Sequence, residues 1–137
     1  MALLSDVFAA TPEEAAAVDP RAWDAKWFPA VQAKYVDAPK LAALEHLLGG
    51  SGASGSVLFV ADDGSVGLEA VRADLTTRLA ELPAERIPEL ARDWGATEEW
   101  GVEREDLPLF TAFVGELVAL ARQARSDAKE LFLWWSL

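Results

Sequence analysis

The chain has 137 residues, with 23 acidic against 12 basic side chains, a formal net charge of −11, one histidine and no cysteine. The missing cysteine excludes a disulfide scaffold, a cysteine-type zinc site and a thiol nucleophile. The charge disfavours nucleic acid and anionic membrane surfaces and favours a basic protein partner.

The length suits one globular domain over residues 1–137. At 14.8 kDa, folding buries roughly two thirds of the extended chain's surface. An apolar share of 52% and a charged share of 26% are globular usage, so a core without metal or disulfides is expected. The N-terminus has no basic leader, Asp6 interrupts its apolar run, and no apolar run is long enough for a membrane helix. A cytoplasmic protein is expected.

Residues 3–9 read as a first strand. Thr11-Pro12-Glu13-Glu14 then forms a capping box, with proline at the first helical position, and starts a short helix to Val18. Residues 20–36 have no clear period and hold Trp23, Trp27, Phe28 and Tyr35, the pattern of a covering loop. Its last part, 31–36, is a candidate edge strand. Asp37 starts a helix with Leu41, Leu44, Leu47 and Leu48 as its apolar stripe, and Gly49 supplies a left-handed C-cap. Residues 49–56, GGSGASGS, read as a flexible loop within the domain.

Val57-Leu58-Phe59-Val60 is a continuous apolar run and predicts a buried strand. With the Asp62-Asp63-Gly64 turn it makes a hairpin over 57–70. A helix is predicted at 71–82 with Val71, Leu75, Leu79 and Leu82 on one face. Another follows at 86–96 through Ile87, Leu90, Ala91 and Trp94, with Pro88 in its first turn. The acidic connector TEEWGVERED covers 97–106. Asp106 is expected to cap the longest helix, 107–127, whose stripe runs from Leu107 through Phe110, Val114, Leu117 and Ala121 to Ala128. Arg122 and Arg125 suit its C-terminal end. The last run, Leu131 to Leu137, is bulky on both faces, which predicts a central strand. The fold class is α+β: a small sheet with a central C-terminal strand, packed against four to five helices.

No catalytic constellation emerges. His46 lies alone on a helix with only carboxylates to share a metal, and no serine sits in a nucleophile elbow. The glycine run follows a helix and lacks the lysine of a phosphate loop. Asp62-Asp63-Gly64 lacks calcium-loop spacing. Glu98 and Glu99 beside Trp94 and Trp100 have the composition of a sugar-cleaving pair. Acids so dense between two helices instead suit a solvated or partner-binding loop. Trp100, in this polar segment, reads either as an interface hot spot or as a ring folded back on the helix pair. The candidate partner-binding residues are Trp94, Glu98, Glu99, Trp100, Glu103, Glu105 and Asp106. No cofactor or metal is expected.

Four features in order resemble the YfbM-like family of uncharacterised bacterial proteins. They are the strand and short helix LLSDVFAATPEEAAAV, the leucine helix LAALEHLLGG, the midchain helix pair, and the closing FTAFVGELVALARQARSDAKELFLWWSL. The family's tryptophan-histidine pairing on the leucine helix is replaced by Leu44-Glu45-His46, and its tyrosine-proline segment is missing. The family brings no established activity, but some relatives neighbour bacterial toxin systems, which implies an immunity-type role.

The expected function is thus a non-enzymatic acidic protein-binding domain, an immunity protein that occludes the basic cleft of a nuclease-type toxin. The alternative is an orphan small-molecule-binding or housekeeping domain, with a pocket between the sheet and the 107–127 helix.

Overall fold

A computed structural model describes residues 3–53 and 55–137. Five strands form one antiparallel sheet: β1 (Leu4–Ala10), β2 (Ala30–Lys34), β3 (Val57–Val60), β4 (Val66–Ala70) and β5 (Glu130–Ser136). Their order is β2-β1-β5-β4-β3. The C-terminal strand therefore lies in the middle, paired with β1 from Leu4↔Ser136 to Ala10↔Glu130 and with β4 on its other side. The bulky alternation of 131–135 requires this place, because only a central strand has cover for both faces. The fold is α+β, as the sequence predicts.

One face carries Val7, Ala9, Val31, Leu131 and Leu133 into the helical core. Four helices cover it: α2 (Ala38–Leu47), α3 (Ala73–Ala80), α4 (Ile87–Gly95) and α5 (Leu107–Ser126), numbered after the short α1 (Pro12–Ala16). α5 crosses β1 and β2, burying Val114, Leu117, Val118 and Ala121, with α3 and α4 at its flanks. By length and composition Arg104–Ser126 would span a membrane, at a mean hydropathy of 1.2. Its buried stripe packs on the sheet and on its neighbours.

The other face carries Phe8, Ala10, Leu68 and Phe132. α1 and the aromatic segment after it lie over these side chains. Trp23 and Phe28 pack tilted against Phe8 with centroids at 4.5 and 5.1 Å. The Trp134 indole N–H donates to the Pro20 carbonyl at 2.9 Å, pinning the covering segment to β5. Residues 20–28 thus form the expected aromatic cover, while Ala30–Lys34 forms the edge strand expected near 31–36.

Local signals hold at most element ends. Thr11 and Glu14 form both bonds of the capping box, at 3.1 and 2.9 Å. The Asp37 carboxylate accepts the Lys40 N–H at 3.0 Å. Gly49 takes a left-handed φ of 89° at the end of α2. Arg122 donates to the Ala80 and Leu82 carbonyls at 3.2 and 2.6 Å, so it caps α3 as well as suiting its own helix end.

Four expectations fail. Val57–Val60 is an edge strand, not a buried one, and Val57, Leu58 and Val60 are exposed. β5 took the central position that an apolar run alone could equally claim. On α2, Leu47 is exposed and Glu45 is buried in its place, because a charged partner waits on α3's approach. Asp106 has helical φ and ψ and makes no side-chain cap bond among the described residues; a 3₁₀ turn, Arg104–Asp106, leads into α5 instead. Ala128 does not continue the stripe. It adopts a left-handed φ of 54°. The Lys129 N–H donates to the Ala124 carbonyl at 2.8 Å, the long bond of a Schellman-type stop.

Candidate functional site

The connector between α4 and α5 turns back on itself. The Thr97 hydroxyl donates to the Trp94 carbonyl at 2.6 Å, and the Trp100 and Gly101 N–H groups donate to the Thr97 carbonyl at 3.1 and 3.0 Å. Gly101 supplies the left-handed φ of 56°. The Val102 N–H then donates to the Gly95 carbonyl at 2.9 Å. A methyl group on Gly95 would press on Val102 and Phe110 at 3.1 and 3.2 Å, so the missing side chain permits this close return.

The return sets the fate of the two tryptophans. Trp94 is 0% exposed and donates its indole N–H to the Lys40 carbonyl at 2.8 Å. It is a core residue, and its place among the partner-contacting candidates is corrected: a ring with no surface cannot meet a partner. Trp100 is half-buried, edge-on to Trp94 at 5.2 Å and to Phe110 at 5.0 Å. It follows the folded-back reading. Its indole N–H is buried and has no acceptor among the described residues. The Lys40 ammonium lies 4.6 Å from its ring centroid, a cation–π contact.

The acids stay outside. Glu98, Glu99, Glu103, Glu105 and Asp106 are all exposed, with Arg104 as the one cation in their segment. They flank the half-buried Trp100 in sequence, and of the five only Asp106 lines a cavity with it. None of them takes part in a metal-type cluster among the described residues.

Beside this segment runs a feature that no short-range pattern announces. A groove open to solvent lies between β2 and the N-terminal half of α5, lined by Leu4, Ala33, Tyr35, Trp100, Leu109 and Phe113, with Lys34 and Asp106 at its polar positions. It continues along the strand past Gln32 and Val31, opposite Glu116 and Leu120. Leu109 is 76% exposed, and Leu4 and Tyr35 are also exposed. Tyr35 holds a left-handed φ of 65° and ends β2 there. The place matches the alternative expectation of a pocket between the sheet and the long helix, but as an open trough.

Two buried carboxylates lie away from the connector. Asp6, on β1, accepts the Trp23 indole N–H at 2.6 Å. Burial pushes its pKa up, and the Trp23 bond opposes that rise. Glu45 is 1% exposed and accepts from Arg72 Nε at 2.9 Å, the Gly52 N–H at 2.9 Å and the Ser51 hydroxyl at 3.1 Å. Burial opposes its ionisation, but these donors outweigh it and hold its pKa below the usual carboxylate range. The glycine-rich loop is therefore tied at Ser51 and Gly52. A helical glutamate on the apolar side of a leucine stripe was the available signal for this pair. The fully buried side chain beside Gly50 fits closely, since a Cβ there would meet Glu45 Cγ at 2.5 Å.

These features define an α+β domain with an acidic, tryptophan-bearing connector beside an apolar trough. No family model matches the chain, and no curated protein or solved structure matches it either.

Proposed function

We propose that this chain is a cytoplasmic acidic protein-binding domain, acting without covalent chemistry, and that its contact surface is the connector together with the β2–α5 groove. The observation that carries the reading is the adjacency of two unlike surfaces. Trp100, Val102 and Asp106 of the connector line a trough in which Leu109 is 76% exposed, and the same connector carries the exposed Glu98, Glu99, Glu103 and Glu105. Charge of one sign speeds and orients the encounter with a basic partner, while desolvated apolar area supplies most of the lasting affinity. The most specific form of the reading is an immunity protein that occludes the basic cleft of a nuclease-type toxin, as the sequence resemblance implies.

The test is co-purification with the products of neighbouring genes, followed by titration of each identified partner at low and physiological salt. Charge reversal at Glu98, Glu99 and Glu103 is expected to slow association and flatten its salt dependence. Leu109→Ser is expected to speed dissociation. A partner that binds both variants as tightly as the parent sinks the assigned surface.

The trough also favours a second reading, a small-molecule site walled by Trp100, Phe110 and Phe113. A melting-temperature shift with a metabolite, in the absence of any protein partner, would favour it over the first.

A further inference from the structure

Resting on the reading of this chain as a protein-binding domain, we propose that its partner supplies an extended cationic segment. This segment joins the sheet as a new edge strand on β2, lying in the groove beside α5.

The backbone of β2 carries the argument. The Tyr35 N–H donates to the Leu3 carbonyl at 2.8 Å, and the Ala9 N–H donates to the Pro29 carbonyl at 2.9 Å. Between these bonds the register pairs Ser5 with Ala33 and Val7 with Val31. Bonded and open pairs alternate along an antiparallel ladder. Val31 and Ala33 therefore turn their N–H and C=O groups toward β1, while Ala30, Gln32 and Lys34 turn theirs outward. Among the described residues β2 has no second neighbour in the sheet, and Gln32 and Lys34 are exposed. The free edge is a row of donors and acceptors at strand spacing, a template for a further strand.

The surroundings select an occupant. Pro29 precedes β2, and the left-handed Tyr35 closes the edge, leaving the 5 residues of β2. α5 forms the outer wall, so alternate side chains of an added strand would meet Leu109 and Phe113. Asp106 and Glu116 line the trough against Lys34, and the exposed acids of the connector extend that negative field. An extended segment alternating apolar and basic residues fits this wall and this charge. The opposite edge, β3, fits less well: a bulge between Val57 and Phe59 breaks its repeat.

A defined probe tests the proposal. It is a capped peptide of about seven residues, a usual strand length, alternating valine with lysine or arginine. Its control replaces each basic residue with glutamate. The basic peptide is expected to bind and to slow amide exchange at Ala30, Gln32 and Lys34; the acidic one is not. Gln32→Pro removes an outward donor without touching the β1–β2 ladder, a placement that edge strands tolerate. It is expected to weaken binding by about tenfold or more. N-methylation of one alternate set of peptide amides is expected to abolish binding, and methylation of the other set to leave it within roughly twofold. Should Gln32→Pro fail to fold, the methylation arm decides alone. A basic peptide that does not bind, that binds as a helix, or that tolerates both methylation sets overturns strand addition. Each of those results leaves the acidic surface intact as a reading, because charge reversal at Glu98, Glu99 and Glu103 tests it separately with the native partner.

Discussion

Arg72, the residue before α3, donates Nε–H to the Glu45 carboxylate of α2 at 2.9 Å. The same carboxylate holds Ser51 and Gly52, so one buried anion joins a helix, the entrance of the next helix and the loop between helix and strand. Glu45→Ala would strand these donors. The Arg72 side chain is 36% exposed and can be rehydrated, which keeps the cost below that of breaking a fully buried pair. A loss of about 2–3 kcal/mol is expected in urea unfolding. Glu45→Gln, which keeps an acceptor, should lose less. A change near zero for Glu45→Ala would mean the pair is idle.

Acid has opposite effects on different carboxylates. Asp6 and Glu69 both have raised pKa values, each chiefly through burial; for Glu69 the nearby Asp37 charge adds to the rise and Trp135 opposes it. Such groups bind a proton more readily folded than unfolded. Their effect is a loss of stability as pH climbs from the ordinary values of 3.8 and 4.5 through the raised ones. Glu45 is the reverse: its contribution is present above 4.5 and disappears as pH falls through its lowered value. Asp6→Asn keeps an acceptor for Trp23 and is expected to remove its share of the stability lost as pH climbs above 3.8, read as a shallower dependence of melting temperature on pH there. An unchanged slope in that variant would rule Asp6 out as its source.

Gly67 lies directly beneath the Trp135 ring. A Cβ at that position would collide with three atoms of the indole. Gly67→Ala is expected to cost about 1–3 kcal/mol, the usual penalty of overpacking. Adding Trp135→Ala should relieve the clash, so the double variant should be less destabilised than the sum of the singles. Strict additivity would show that the ring simply swings away.

Ala128 occupies the left-handed position that ends α5, at φ 54°. An alanine there bears a strain that glycine does not. Ala128→Gly is expected to stabilise the protein by about 1 kcal/mol in thermal or urea unfolding. A destabilised variant would show that the entropy glycine loses on folding outweighs the relieved strain.

Trp94 and Leu109 separate stability from binding. Trp94→Phe removes the N–H donated to Lys40 and leaves a small cavity, at about 1–3 kcal/mol. Partner affinity measured well below the melting temperature should not change. Leu109→Ser should do the opposite, leaving stability within about 0.5 kcal/mol and weakening the complex. Loss of affinity in Trp94→Phe would place the contact surface elsewhere.

Short-range rules located the elements of this chain well. Thr11 with Glu14, Asp37 at α2, Pro88 at α4 and Gly49 after α2 act through neighbours within a turn, so local sequence was enough to place them. The bulky run 131–135 likewise announced a central strand, because no other place covers both of its faces. Tertiary contact decided the rest. Val57–Val60 has the same apolar character but lies at the edge, since β5 already occupied the middle. Glu45 outranked Leu47 for the interior only because Arg72 arrives from 27 residues away. Trp94 and Trp100 differ in burial although both border the same acids, because Trp94 lies on the core stripe of α4 with Leu90 and Ala91, whereas Trp100 follows the helix end in the connector. The acidic connector was legible in composition, while the groove beside it was expected only as a pocket between the sheet and the long helix, without its lining residues. Its walls, β2 and α5, are distant in the chain, and no local pattern records which surfaces folding will leave side by side.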